Sequence, residues 1–314
     1  KTHSYQTPSL ALKIGHSLLK CSRYLKAEGL KENSQEKVER AESFAQLYQT
    51  EWSDNISSKA LSTLELKKYN KPQLLPLVED VVKLHTMLEK KAKNLSKELK
   101  SNPQAYTELA KVLLTRVILF NRKRSGETQR MTVEGFKTAQ TSPPSDPAVL
   151  ASLSVFEQNL CKTHMRVEIK GKRGRKVAVL LTREMQNQLN TLVEARALAG
   201  VSPSQHFLFA RPGPAEHPYR GSDCLRFFSQ ECNAKRPTLL TSTLLRKQLA
   251  TLAQVLNMSE NSQDILATFQ GHDIRVHREF YRLPEGALQI AKVTKLLHCI
   301  NSGTICDYQG KDFD

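Results

Sequence analysis

The stretch QGHDIRVHREFY, which runs from Gln270 to Tyr281, concentrates side chains that hold anions or exchange protons. It contains two histidines, two arginines and a tyrosine. Histidine titrates near neutral pH, whereas arginine stays charged and matches the geometry of a phosphate. The stretch therefore fits either a solvated helix surface or part of an active site, and its composition alone leaves both interpretations open.

Three basic clusters stand out in the sequence. They are NRKRSGETQR from Asn121, RVEIKGKRGRK from Arg166, and the arginines of the stretch above together with Arg282. The middle cluster has six basic residues against one acidic residue. It indicates a solvated hairpin or, alternatively, a basic β-ribbon along a nucleic-acid backbone, where each neutralised phosphate adds roughly 0.9 to the salt slope of binding.

The overall charge favours a nucleic-acid partner. The chain of 314 residues has 47 lysines and arginines against 31 acidic residues, a formal net charge of +16. This excess predicts a polyanionic partner, and no amphipathic anchor or lipidation signal points to a membrane instead. No stretch approaches the roughly 20 apolar residues of a membrane-spanning helix, and no signal peptide opens the sequence.

The six cysteines are scattered without a CxxC pair, which argues against a disulfide scaffold and against a zinc ribbon. A reducing compartment fits this pattern best. Cys161 and His164 have metal-ligand spacing, but a single CxxH without a second half is more often a coincidence. We therefore expect neither a metal nor a cofactor.

Apolar residues recur at helical spacing over most of the chain. They predict helices at about 7–26, 35–51 and 55–68, after which Pro72 and Pro76 interrupt the pattern. We place a domain boundary there, which gives domains at 1–70 and 71–300 and a C-terminal tail at 301–314. The second domain has predicted helices in the segments LVEDVVKLHTMLEKK and YTELAKVLLTRVILFNRKR, of which the second carries an apolar stripe. Further helices are predicted at about 183–199, from about Asp223, Thr241 and Ser262, and at about 284–300.

A β-hairpin is predicted between these helices. The segments MRVEI and KVAVLL are rich in β-branched residues and flank the glycine-containing connector KGKRGR. The predicted fold class is therefore mainly α with a small β-sheet.

Three short motifs, taken in order, resemble those of the tyrosine recombinases, the phage-integrase family. RSGET at Arg124 resembles the R-x-G-E-L box, and QGHDIRVHREFY resembles the L-G-H-x(8)-Y segment, with the same nine-residue separation of His272 and Tyr281. TLLRKQLATL resembles the H-x-L-R-H-x-x-A-T helix, matching at Leu245, Arg246, Ala250 and Thr251. Each motif alone is weak, but three in this order, with a basic hairpin between the first and second, are hard to produce by chance.

The resemblance implies a fold and a set of roles. It covers about 71–300 as a DNA breaking-rejoining catalytic domain, preceded by a helical core-binding-like domain that clamps DNA. Arg124 and Arg246 would clamp the scissile phosphate, and Tyr281 would attack it to leave a 3′-phosphotyrosyl link. His272 would hydrogen-bond the phosphate, and Glu127 would hold Arg124. No metal or cofactor is implied.

The hairpin would supply the proton for the leaving 5′ oxygen from a lysine. Lys172 is favoured because it lies where the hairpin should turn, with Lys170 as second choice and Lys176 as a further candidate. Direct DNA contacts are expected from the basic residues of the hairpin and of the last motif, namely Lys170, Arg173, Arg175, Lys176, Arg275 and Arg278.

One position departs from the family pattern. Thr243 stands where the histidine of H-x-x-R belongs, and a threonine is no general base near neutral pH. Deprotonation of Tyr281 would then need His277 or water. The alternative function is a captured recombinase fold that binds DNA or chromatin without cutting it. A third possibility is a basic scaffold for RNA or proteins.

The resemblance also sets expectations about partners and location. The sequence looks most like eukaryotic, Crypton-type recombinases and their domesticated relatives, which implies a nuclear protein. The expected partner is double-stranded DNA, bound by dimers or tetramers of the chain. Each candidate residue also has an ordinary interpretation, as a helix-end cation, a surface arginine, a helix-start histidine or a core tyrosine.

Overall fold

The computed structural model describes residues 5–68, 74–141, 147–171, 174–255 and 260–270. The chain divides into two compact units, Lys1–Gln73 and Leu74–Asp314. The predicted helix at 284–300 and the tail at 301–314 lie outside the described residues. No helix in the described ranges is both long and apolar enough to cross a membrane.

The first unit is helical, and the buried face of its first helix contains small residues. Its elements are α1 (Pro8–Lys31), α2 (Gln35–Leu47), a π-helical stretch (Tyr48–Ser57) and α3 (Ser58–Lys68). Gly15, Ser22 and Gly29 are buried on α1. A Cβ atom on Gly15 would lie 2.4 Å from Nε1 of Trp52, so this close approach requires glycine. The Ser22 hydroxyl donates to the carbonyl of Ala41 at 2.7 Å.

The second unit is built around one buried helix, α5. Its helices are α4 (Val78–Glu98), α5 (Tyr106–Asn121), α6 (Ser125–Thr128), α7 (Val133–Gln140), α8 (Pro147–Ala151), α9 (Val155–Thr163), α10 (Arg183–Glu194), α11 (Gly221–Glu231), α12 (Ser242–Val255) and α13 (Glu260–Phe269). Helices α4, α10, α11 and α12 pack against α5. Helix α5 is buried on nearly all sides, as is typical of a helix in the centre of a domain.

A two-stranded antiparallel sheet crosses the same unit. Strand β1 (His164–Lys170) pairs with β2 (Lys176–Thr182), in a register that runs from His164 opposite Thr182 to Lys170 opposite Lys176. Alternate residues are buried because successive side chains point to opposite faces, and the buried ones are Val167, Ile169, Val177, Val179 and Leu181. The predicted hairpin and the predicted fold class, mainly α with a small sheet, are confirmed.

Two predicted helices end earlier than expected. The helix predicted to reach residue 51 ends at Leu47, where the π-helical stretch begins. The helix predicted to reach residue 199 ends at Glu194. After a short irregular segment, Gly200 adopts a φ of 75°, and the N–H of Val201 donates to the carbonyl of Arg196 at 3.0 Å, so the chain turns back. The Arg196 guanidinium also donates to the carbonyl of Phe207 at 2.7 Å.

Buried polar contacts fix the start of α12. Asp80 of α4 is fully buried and accepts hydrogen bonds from the backbone N–H groups of Lys235 and Arg236, at 2.7 and 2.9 Å. Gln248 of α12 donates to the carbonyl of Pro76 at 2.8 Å. Satisfied buried groups of this kind specify one packing arrangement. They therefore hold the helix that carries Arg246 against the start of α4.

Candidate active site

Arg124 lies in the turn between α5 and α6. Helix α5 ends at Asn121, and Arg122 adopts a left-handed φ of 51°, which redirects the chain. Arg124 then caps α6 with extended backbone. Its Nη1 lies 2.9 Å from Oε1 of Glu127, whose side chain is 3% exposed, whereas the Arg124 side chain is 27% exposed. A buried carboxylate thus orients a guanidinium that still reaches solvent.

Arg246 is buried inside the unit. It lies on α12 with 3% of its surface exposed, and its Nη2 donates to the carbonyl of Gln270 at 3.4 Å. Gln270 follows α13 directly and is the first residue of the stretch QGHDIRVHREFY. The second arginine therefore contacts the backbone from which the third motif continues.

A cavity joins the first and second motifs. Its volume is about 480 Å³, and its lining includes Ser125 at the start of α6 and Thr243 in the first turn of α12. Arg226 and Gln230 of α11 line it as well. Thr243, which replaces the expected histidine, is exposed. Two motifs far apart in sequence therefore border the same space.

The tip of the hairpin begins beside the first motif. Gly171 donates its N–H to the carbonyl of Arg175 at 2.8 Å. A Cβ atom on Gly171 would lie 3.6 Å from Oε1 of Glu127 and only 2.5 Å from Cγ2 of Val177. The backbone approaches this closely because glycine has no side chain. The connector with its basic residues therefore starts against the carboxylate that holds Arg124.

The basic residues of the hairpin are placed only in part. Lys170, Arg175 and Lys176 are exposed at the turn end of the hairpin, and the Nζ of Lys176 lies 3.9 Å from Glu168. Lys172 and Arg173 lie outside the described residues, so the choice between Lys172 and Lys170 as proton donor stays a prediction.

Asn121 ties the Arg124 turn to the hairpin, which sequence reasoning missed. Its side-chain Nδ2 donates to the carbonyl of Leu180 at 2.8 Å, and the N–H of Leu180 donates to its Oδ1 at 2.7 Å. The amide thus pairs with β2 as a neighbouring strand would. A single amide of this kind leaves no periodic mark in a sequence, so no signal could have identified it.

Lys123 is the second residue that sequence reasoning missed. Its side chain is fully buried, and its Nζ lies 3.5 Å from the ring centroid of Phe269 on α13. Among the described residues, Nζ has no hydrogen-bond partner. The pKa of Lys123 is lowered to about 7, chiefly by burial; the charge of Glu127 opposes this shift, and the charges of Arg246 and Arg124 add to it. The only sequence signal was its position directly before Arg124.

The last motif lies beyond the described part of the chain. This applies to His272, Tyr281 and His277 and to the expected DNA contacts Arg275 and Arg278, whose roles remain predictions. Within the described ranges, no group of three or more histidines, cysteines or acidic residues is placed to hold a metal ion. The arrangement that the structure brings together is therefore Arg124 with Glu127, Arg246 and Lys123.

Comparison with known proteins identifies structural likeness only. No protein family matches the chain, and no curated protein matches it significantly. A solved XerH site-specific recombinase, bound to palindromic difH substrate in a post-cleavage complex, is similar with a TM-score of 0.42 and 17% identity over 67% of this chain. The match spans about half of that recombinase chain, 51%.

A pre-cleavage complex of XerH with difH substrate is similar with a TM-score of 0.45 and 13% identity, over 90% of this chain and 84% of that chain. At TM-scores this low, the likeness does not assign a family.

Proposed function

We propose that the protein cuts and rejoins double-stranded DNA as a tyrosine-type strand transferase. The observation that carries this proposal is that Arg124, held by Glu127, and the buried Arg246 both lie near enough to Lys123 to lower its pKa, with the tip of a basic hairpin against Glu127. Paired guanidinium groups match the non-bridging oxygens of a phosphodiester and neutralise the charge that grows in the transition state. The net charge of +16 favours encounter with a polyanion.

In the proposed reaction the phenol oxygen of Tyr281 attacks the phosphorus. A bond forms between that oxygen and phosphorus, the phenol proton passes to His277 or water, and the bond between phosphorus and the 5′ oxygen breaks, which leaves a 3′-phosphotyrosyl link. Lys172, or Lys170 in its place, gives a proton to the leaving oxygen, and His272 hydrogen-bonds the phosphate. Reversal of these steps rejoins the strand without an external energy source.

Covalent trapping tests this proposal. Supercoiled plasmid is incubated with the protein and quenched with detergent, and covalent protein-DNA adducts are counted. Wild type forms the adduct, Tyr281→Phe forms none, and Arg124→Ala or Arg246→Ala lowers its rate by about 100-fold or more.

Tyr219→Phe is the matched control, because its hydroxyl donates to Thr107 at the far end of α5 from Arg124. It is expected to form the adduct as wild type does. An adduct that persists in Tyr281→Phe refutes the mechanism.

The exposed Thr243 supports a second candidate, a recombinase fold that binds DNA or chromatin without cutting it. Loss of one acid-base contributor slows catalysis by roughly two to four powers of ten, while the fold and the charged surface remain. Plasmid relaxation separates the two candidates, since only the enzyme changes the linking number. A protein that retards duplex DNA and leaves linking number unchanged supports the second candidate.

The proposed function extends to assembly and location. The helical residues 1–70 are proposed to clamp the duplex, and pairs or fours of the chain to assemble on it. The resemblance to Crypton-type recombinases supports a nuclear location. Sedimentation of the protein with and without duplex DNA tests the assembly, and a fluorescent fusion in cells tests the location.

A further inference from the structure

Lys123 is an unusual group for the interior of a protein. Its Nζ lies over the ring of Phe269, 3.5 Å from the ring centroid, and its side chain has no exposed surface. The same nitrogen has no hydrogen-bond partner among the described residues. A buried charge is strongly unfavourable unless a partner compensates for it. The aromatic face provides part of this compensation, because its quadrupole attracts a cation.

The surroundings of Lys123 carry surplus positive charge. Arg124 and Glu127 act on it from the adjacent turn, Arg246 from α12 and Arg166 from β1. Glu127 is already paired with Arg124, and Arg166 lies 2.8 Å from Glu168 at the exposed surface of the hairpin. Among the described residues around Lys123, one buried carboxylate therefore faces several cations, and an anion is the ligand that this environment would favour most.

We propose that binding of a phosphodiester at Arg124 and Arg246 is coupled to protonation of Lys123, so that the site takes up a proton as its anionic ligand enters. The identity of the ligand as DNA rests on the proposed function, whereas the coupling to an anion does not. The two binding events strengthen each other. A negative charge nearby raises the pKa of an amine, and the protonated amine in turn strengthens anion binding.

The pKa of Lys123 in the free protein makes this coupling measurable near neutral pH. Because burial lowers the pKa of Lys123 to about 7, the amine is mostly neutral at pH 7.5 in the free protein. Protonation on binding would consume about three quarters of a proton at that pH. If the bound form has a pKa of about 9 or higher, affinity for DNA falls about sixfold between pH 7.5 and 8.5.

Titration calorimetry of wild type with a mixed-sequence duplex measures the proton directly. Heats are compared at one pH in two phosphate-free buffers that differ in ionisation enthalpy, and their difference gives the number of protons bound. We expect net uptake for wild type. A heat that does not depend on the buffer overturns the proposal.

Two substitutions assign the proton to Lys123. Lys123→Met keeps an unbranched side chain without charge, and Lys123→Arg keeps a charge that does not titrate in this range. Both are expected to abolish proton uptake and the sixfold pH effect. If Lys123→Arg fails to fold, Lys123→Met alone decides. Uptake that persists in Lys123→Met overturns the proposal.

Lys176→Met is the matched control, because Lys176 is an exposed lysine beside the connector of the hairpin. Loss of one phosphate contact should weaken binding and lower the salt slope by about one. The dependence on pH should stay as in wild type.

Sulfate separates this proposal from the proposed function. It remains a dianion over the tested pH range, and it requires no DNA chemistry. In wild type, sulfate should raise the melting temperature more at pH 7 than at pH 9, whereas Lys123→Met should respond equally at both. That result supports the coupling even if no covalent adduct forms with DNA. Equal responses in wild type at the two pH values overturn it.

Discussion

Replacing Lys123 with methionine should stabilise the protein at neutral pH. The side chain is buried against Phe269, and its pKa falls from the ordinary 10.5 to about 7. Folding thus carries a penalty for the charged lysine that the unfolded chain does not have. Methionine has a similar length and no charge, so it fills the same space without that penalty.

The size of the effect follows from the two pKa values. At 1.36 kcal/mol for each pKa unit, the shift corresponds to about 5 kcal/mol. The face of Phe269 favours the charged lysine by about 1 to 2 kcal/mol, and methionine loses that attraction. The net gain is therefore about 3 kcal/mol, which should raise the melting temperature of a unit of this size by about 6 to 12 °C.

The gain should depend on pH in one direction. Below about pH 7 the lysine is charged in both the folded and the unfolded states, so the penalty is fully present. As the pH rises from 7 towards 10.5 the folded form is neutral while the unfolded chain still binds the proton, so the penalty shrinks. Above about 10.5 both states are neutral and the penalty disappears.

Chemical denaturation of wild type and Lys123→Met at pH 7 and at about pH 9.5 measures both the gain in stability and its dependence on pH. Lys93→Met, at an exposed position of α4, is the control and should show no pH-dependent difference from wild type. The reasoning fails if Lys123→Met is less stable than wild type at pH 7. It fails equally if the difference between them does not change with pH.

Three further changes have defined outcomes. Gly171→Ala places a Cβ 2.5 Å from Cγ2 of Val177 and should lower the free energy of unfolding by about 1 to 3 kcal/mol, whereas an unchanged denaturation midpoint would show that the hairpin tip adjusts. Asn121→Ala removes both hydrogen bonds to Leu180, so it should lower the free energy of unfolding by about 2 kcal/mol and speed hydrogen exchange of the Leu180 amide. Unchanged exchange would show that these hydrogen bonds do not protect that amide. Glu127→Gln removes a charge that raises the pKa of Lys123, so the pKa of Lys123 in the folded protein, measured from the pH dependence of stability, should fall below 7, and a rise would contradict this assignment.

The sequence predicts elements whose stability comes from local pattern. The apolar run of α5 and the β-branched segments around KGKRGR lead directly to the central helix and the hairpin. Helix ends depend on single backbone conformations and are harder to predict. The helix from Arg183 stops at Glu194, and Gly200 with Val201 then closes the turn, although the apolar pattern continues.

The sequence proposes residue types for the candidate site but does not indicate which of them are buried. Arg124, Glu127 and Arg246 follow from short motifs. Lys123 belongs to a cluster, NRKRSGETQR, that suits a solvated surface equally well, because charge patterns do not reveal which side chain a turn directs inward. The left-handed residue Arg122 and the ring of Phe269 determine that direction, and both act through tertiary structure.

The amide of Asn121 also affects how the sheet meets other chains. Strand β2 forms one side of a two-stranded sheet, and an open strand edge is a template for unwanted pairing and aggregation. Both peptide groups of Leu180 are occupied by the Asn121 side chain, so a foreign strand could add there only by displacing it. The residue that anchors the Arg124 turn thereby also opposes edge-to-edge pairing at this position of β2.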